Sequence, residues 1–176
     1  MNKIGLIASS LLVAAAVAAS ASASAAYSFL VTVEGSKQGP FKGESLAKGE
    51  EGKIPASAFS FSLRTPRDPG TGQATGKRQY SAVSFTKAWG ASSPQFFQAG
   101  SFNEVLKSVK FEFTQLDAKG AKQVYQTMTL TNAFIGGITR RASSAGELEE
   151  VSVTFQKIEL VDNNGLTSFA DTFTAN

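Results

Sequence analysis

The chain has 176 residues, with 17 Lys and Arg against 14 Asp and Glu, a formal charge of +3, and neither histidine nor cysteine. Those two absences exclude Ser-His-Asp and Cys-His nucleophiles, metal sites built on imidazole or thiolate, and any disulfide staple. The charge excess is too small to point to nucleic acid or an anionic membrane as a partner.

The opening residues, MNKIGLIASSLLVAAAVAASASASAAY, carry the three parts of a secretory signal. Lys3 supplies the basic start, Ile4 to Ala19 the apolar run, and Ala21–Ala23 and Ala23–Ala25 two overlapping A-x-A cleavage sites. The expected organisation is a cleavable signal over residues 1–25 and a single domain over 26–176, with no stable membrane insertion after cleavage. About 150 residues then remain, enough to bury roughly 70% of the unfolded surface in one core.

Through most of that domain apolar residues recur at every second position, the period of a half-buried strand. YSFLVTVEG aligns Tyr27, Phe29, Val31 and Val33; SAFSFSLRT aligns Phe59, Phe61 and Leu63 against Ser60, Ser62 and Arg64. Next comes GTGQATGKRQY, Gly70 to Tyr80, which ends one limb in Gly-Lys like a phosphate loop. The register is wrong: five residues before Gly76 stands Thr71, and Arg78 occupies the place of the metal-binding hydroxyl. RQYSAVSFTKAW then alternates again as a strand.

ASSPQFFQAGSFNEVL breaks the alternation and reads as a short helix. Ser93 is the expected N-cap and Pro94 the first helical residue, where its missing amide costs nothing. Phe96 and Phe97, with Leu106, give it an apolar side, and Trp89 reads as packing beneath it. SVKFEFTQL aligns Val109, Phe111 and Phe113. LDAKGAKQ is a hairpin turn with Gly120 at positive φ. EVSVTFQKIEL aligns Val151, Val153 and Phe155, then changes phase near Gln156–Lys157, where a bulge is expected. VDNNGLTS is a second tight turn, without the spaced oxygen ligands of a calcium loop. At least seven strands and one helix predict a mainly β, closed or nearly closed antiparallel barrel.

Catalytic candidates are few. Glu147, Glu149 and Glu150 could act as paired carboxylates on a glycan, but read better as a solvated loop end before a strand. No cofactor, metal ligand set or catalytic residue is expected. Lys77-Arg78 and Arg140-Arg141 read as solvated strand ends or as subunit contacts.

The ordered segments FLVTVEG, GKIPASAFSFSL, GKRQYSAVSFTKAWGASSPQFFQA, FNEVLKSVKFEF, YQTMTLTNAFIGGI and EEVSVTFQKIEL resemble the hemolysin-coregulated protein (Hcp) family. That family supplies the tube protein of type VI secretion. The likeness runs from about Tyr27 to Phe173. It implies a small β-barrel with a helix at its side, hexameric rings that stack into a tube, effector cargo in the lumen, and no chemistry. It also implies that RTPRDPGTGQATGKRQY is an extended loop reaching neighbouring subunits. Arg64, Arg67, Asp68, Thr71, Gly76, Lys77, Arg78 and Tyr80 are its candidate contact residues. Many relatives have histidine where this chain has Tyr80. Pro94, Phe96 and Phe97 are the candidate helix-packing residues.

One expectation departs from the family: its tube protein is loaded from the cytoplasm, whereas residues 1–25 of this chain read as a secretory signal. The expectation is an exported, periplasmic or extracellular ring or tube component, partnered by itself and with room in its lumen for a small secreted protein. A monomeric ligand- or carbohydrate-binding module on the same barrel, and an ordinary type VI tube subunit, stay open as alternatives.

Overall fold

Apolar alternation becomes antiparallel pairing throughout the computed structural model, which describes residues 29–144 and 146–173. The expected signal and its cleavage site lie outside the described residues. In chain order the elements are β1 (Phe29–Gly35), β2 (Gly39–Pro40), β3 (Ile54–Ser60), β4 (Leu63–Arg64), β5 (Gln79–Tyr80) and β6 (Val83–Ala88). Then follow α1 (Ser93–Ser101), β7 (Leu106–Leu116), β8 (Lys122–Ser143), β9 (Gly146–Asp162) and β10 (Thr167–Thr172).

Pairing runs β9-β6-β3-β1-β7-β8, and β8 then pairs with β9, so the strands close into a ring. β10 extends β9 on its free side, β2 adds to β1, and β4 with β5 forms a separate two-stranded ribbon. The expected barrel with one short helix is what forms. Phe29, Val31, Val33, Val83, Phe85, Val109, Phe111, Val151 and Val153 point inward and are fully buried. Phe59 meets Phe29 edge-on at 5.8 Å and Phe111 at 5.5 Å between ring centres, and Phe111 meets Phe85 at 5.5 Å. Such pairs add about 0.5–1.5 kcal/mol each beyond the area they bury.

The alternation slips at one level of the barrel. β7 passes from buried Leu106 to buried Val109, β8 from Leu130 to Ala133, and β9 from Val153 to Ile158. The phase change expected near Gln156–Lys157 is therefore present, but not as a bulge of β9 against β8. Thr131 pairs with Lys157 and Ala133 with Phe155 in constant step, because Asn132 opposite adopts φ +50° and slips with it. The register of that pair shifts elsewhere, between Ile135 and Gly137. β3 has its own irregularity at Ala58, φ +50°, so its inward side passes from Ile54 and Ala56 to Phe59.

Leu63 departs from expectation. It is 50% exposed, because β3 ends at Ser60 and the chain leaves the barrel before reaching it. Both turns form as expected: Gly120 takes φ +78°, and Asp162 Oδ1 accepts the Gly165 amide at 2.6 Å.

The helix begins one residue earlier than expected. Ser92 is the N-cap, without a side-chain cap bond, and Ser93 is the first helical residue. The Ser93 hydroxyl accepts the Gly90 amide at 3.0 Å and donates to Glu149 Oε1 at 2.7 Å. Phe96 is fully buried between Phe41 (5.2 Å) and Phe85 (6.0 Å), whereas Phe97 is 40% exposed and Pro94 is on the surface. Leu106 is in the core, but from β7. Phe96 is thus the helix's one large anchor in the barrel. Phe96→Ala should cost about 3–5 kcal/mol, read as a fall in the denaturant midpoint; Phe97→Ala should leave that midpoint nearly unmoved.

Candidate functional site

Residues 63–80 form an arm that stands away from the barrel. Leu63 pairs with Tyr80 and Arg64 with Gln79, and Arg67 bridges to Ala74 further out. At the tip Asp68 N–H donates to Gln73 O and Gly72 N–H donates to Asp68 O, both at 2.8 Å. Asp68 Oδ1 accepts the Thr71 amide (2.7 Å), the Thr71 hydroxyl (2.9 Å) and the Gly70 amide (3.0 Å). These donors, the Thr71 amide first, hold the Asp68 carboxyl below its usual range. Arg67 Nη1 donates to Gly72 O at 3.0 Å, and Thr75 N–H to Pro66 O at 3.0 Å. The glycine-rich loop therefore cradles its own aspartate rather than a phosphate.

The arm's root is a clasp onto β10. Arg78 donates through Nε and Nη2 to the two oxygens of Asp171, and the Tyr80 hydroxyl donates to Asp171 Oδ2 at 2.6 Å. The Tyr80 ring stacks on Phe61 at 5.8 Å and meets Phe173 edge-on at 5.0 Å and Phe155 at 6.0 Å. Arg78, and then Tyr80, hold the Asp171 carboxyl below its ordinary range. Burial, with the bond to Asp171, pushes the Tyr80 phenol up.

Of the expected contact residues, Arg67, Asp68 and Thr71 come together at the tip, and Arg78 and Tyr80 at the root. Arg64, Gly76 and Lys77 are exposed along the limbs. The basic pair Lys77-Arg78 is thus divided: Lys77 is open to solvent, while Arg78 is held by an acid of its own chain. A second exposed feature is an open groove of ≈ 570 Å³ whose lining includes Leu30, Pro55, Leu46 and Leu116, the last two 93% and 71% exposed.

At the α1 end of the barrel, charges occupy inward positions. Lys87 follows Val83 and Phe85 on the inner face of β6, and Glu149 precedes Val151 on that of β9; the two are register partners and both are buried. Lys87 Nζ lies 3.1 Å from Glu149 Oε1 and 3.2 Å from Glu44 Oε1, and donates to Ala88 O at 2.6 Å. Glu44 Oε1 also accepts the Ser92 amide (3.0 Å) and hydroxyl (2.7 Å). Its stem lies so close to Gly90 that a Cβ there would stand 2.4 Å from Glu44 Cγ, so only glycine fits. Arg140, the β8 register partner of Glu149, donates to Glu149 Oε2 at 3.0 Å, and its guanidinium sits over Trp89 (4.4 Å) and Phe97 (4.7 Å).

The acidic loop end expected at Glu147, Glu149 and Glu150 is therefore corrected in two respects: all three lie within β9, and Glu149 is 0% exposed, whereas Glu147 and Glu150 are solvated as expected. Arg140 and Arg141 are both exposed on β8, and Arg140, its side chain 37% exposed, also braces the buried Glu149. Sequence reasoning missed Lys87, although its place on the apolar parity of SAVSFTKAW was the signal. Trp89 packs beside the helix, its Nε1 donating to Leu148 O at 2.9 Å. Among the described residues no cluster of His, Cys, Asp or Glu is arranged to hold a metal ion, and no helix is long and apolar enough to cross a membrane.

Burial raises the Glu149 pKa, but the Ser93 hydroxyl, Arg140 and Lys87 more than offset it, leaving the carboxyl below its ordinary value of 4.5. Its contribution to stability is full above that value and is lost as pH falls through the lower folded one. Glu149→Gln leaves Lys87 without its closest charge partner and should cost about 3–5 kcal/mol at pH 7. Denaturant melts from pH 7 downward should show this gap to the unaltered protein narrowing below the ordinary carboxylate value.

The family model described as "Type VI secretion system effector, Hcp" matches residues 30–161. The Major exported protein of Pseudomonas aeruginosa is 28% identical over 158 residues, which cover 80% of this chain and 92% of that protein. Among solved structures, an Hcp1 mutant from E. coli EAEC 042 superposes with a TM-score of 0.77 at 25% identity, over 84% of this chain and 99% of its own. The secreted protein Hcp3 from Pseudomonas aeruginosa superposes at 0.70 and 22% identity, over 83% and 99%. The family match takes in all of the strands that close the barrel, apart from the ends of β1 and β9, together with the helix and the arm. The chain belongs to the Hcp family of type VI secretion proteins.

Proposed function

We propose that this protein is an exported structural subunit that associates with its own copies into rings, most simply hexameric and able to stack, and that it performs no chemistry. The observation that carries this reading is the arm. It is an ordered ribbon closed by backbone bonds of its own, from which Leu63, Arg64 and Lys77 stand exposed. A pre-ordered arm loses little conformational freedom when it docks, which favours association.

Contacts of an arm on a different face of the next copy are heterologous, and such contacts close into rings when the rotation is right. The groove between Leu46 and Leu116 offers further apolar surface for burial between copies. The family supports a tube role. The basic, apolar and A-x-A parts of residues 1–25 support export of this member by the general pathway, with the lumen available to a small secreted protein.

Light scattering on the purified, processed chain should give a mass about six times that of the monomer. Deleting Thr71 to Thr75 should leave a folded barrel and raise the concentration needed for assembly at least tenfold, about 1.4 kcal/mol. A processed protein that stays monomeric when concentrated would overturn the reading. Mass spectrometry of the exported protein should find its first residue between Ser24 and Tyr27. An intact Met1 on the working protein would return it to the cytoplasmic tube.

A further inference from the structure

We infer that Asp171 on β10 is the positioning residue of the arm, fixing the direction in which the ribbon leaves the barrel. The consequence for assembly rests on the proposed role of the arm as a subunit contact.

The arm's internal bonds fix its shape but not its aim. β4 and β5 form a sheet of their own, with no ladder to the barrel, and a two-stranded ribbon of this size is marginal when left alone. The chain crosses from barrel to arm at Ser62 and Ser81, which bond to each other through Ser81 N–H to Ser62 O and Ser62 N–H to Ser81 Oγ, both 2.9 Å, while the Ser81 hydroxyl donates to Ala82 O at 3.0 Å. Those crossings act as a pivot.

The Tyr80 ring packs at this pivot on Phe61, Phe155 and Phe173, and the polar stop beside it is Asp171, which lies 93 residues along the chain from Arg78. A carboxylate gripped through two guanidinium nitrogens fixes orientation as well as distance, because both groups are planar. Tyr80, on the same limb, adds its hydroxyl to the same carboxylate. The acid is itself held from behind. Asp171 is the register partner of Ile158 on β9, Thr172 N–H donates to its Oδ1 at 2.8 Å, and Phe173 N–H donates to Gln156 O at 2.7 Å. The clasp therefore joins the arm to the barrel wall through the C-terminal strand.

Arg78 retains 48% of its side-chain exposure, so the pair adds little to global stability. Losing it should change where the arm points and leave the barrel standing. The cysteine-free chain allows a direct measurement. Spin labels at Gln73→Cys and Lys107→Cys, both exposed positions, report the separation between arm and barrel. The expected result is one narrow distance in the otherwise unaltered protein and a distribution at least twice as wide with Asp171→Ala. Arg78→Ala, on the exposed side of the pair, serves as the second variant should Asp171→Ala fold poorly.

The exchanged pair Arg78→Asp with Asp171→Arg should narrow the distribution again, which a general loosening of β10 would not do. An unchanged narrow distance in both single variants overturns the inference. So does a broadening that the exchanged pair fails to reverse. If the single variants broaden the distance while the Thr71–Thr75 deletion leaves assembly untouched, the clasp stands and the contact role of the arm falls. If the deletion impairs assembly, Asp171→Ala should impair it in the same direction.

Discussion

Closure of β8 onto β9 is the constraint on which the molecule rests. With no cysteine to staple the chain, an open sheet would leave two long rows of unpaired backbone groups at its edges. Pairing β9 on one side with β6 and on the other with β8 removes those rows along most of the wall and gives every inward side chain neighbours on both sides. The Phe-rich interior follows from this. In a closed wall, Phe29, Phe59, Phe85 and Phe111 meet one another largely edge-on, with Phe113 and Phe96 completing the cluster. Beyond the stretch paired with β6, the same edge of β9 takes β10, which carries Asp171 to the root of the arm.

The end of the barrel that receives α1 is polar. Lys87 and Glu149 give up water entirely, and an ion pair in that setting is tolerated only if its remaining bonding positions are filled. They are filled by Ala88 O, the Ser93 hydroxyl, Glu44 and Arg140, which come from β6, α1, the segment before β3, and β8. The same contacts that satisfy the charges locate the start of the helix. Phe96 then enters the aromatic core from a position the ion pair has set.

Much of this was legible in the sequence. Alternation identified the faces of β1, β7 and most of β9, since these strands are in register with the core over long runs. It failed where the backbone slips. Ile54 and Ala56 share the inner face with Phe59 only because Ala58 turns out of the ladder, and nothing in SAFSFS announces that. The ion pair was readable in principle. Extending the inward parity of Val83 and Phe85 reaches Lys87, and extending that of Val153 and Val151 backwards reaches Glu149. Two opposite charges on the inner faces of strands that turn out to be neighbours form a buried pair; what the sequence could not supply was that β6 and β9 are neighbours. The clasp lay further out of reach, because Asp171 and Arg78 meet only after the C-terminal strand has folded onto the wall.

The self-sufficient bonding of the ribbon between Arg64 and Gln79 has an evolutionary consequence. Since its tip is closed by its own aspartate and amides, its outward side chains can be exchanged without disturbing the interior that folds the domain. The ribbon's outward chemistry and the domain's foldability are thereby encoded in separate stretches of one gene, and a lineage can change the first while keeping the second.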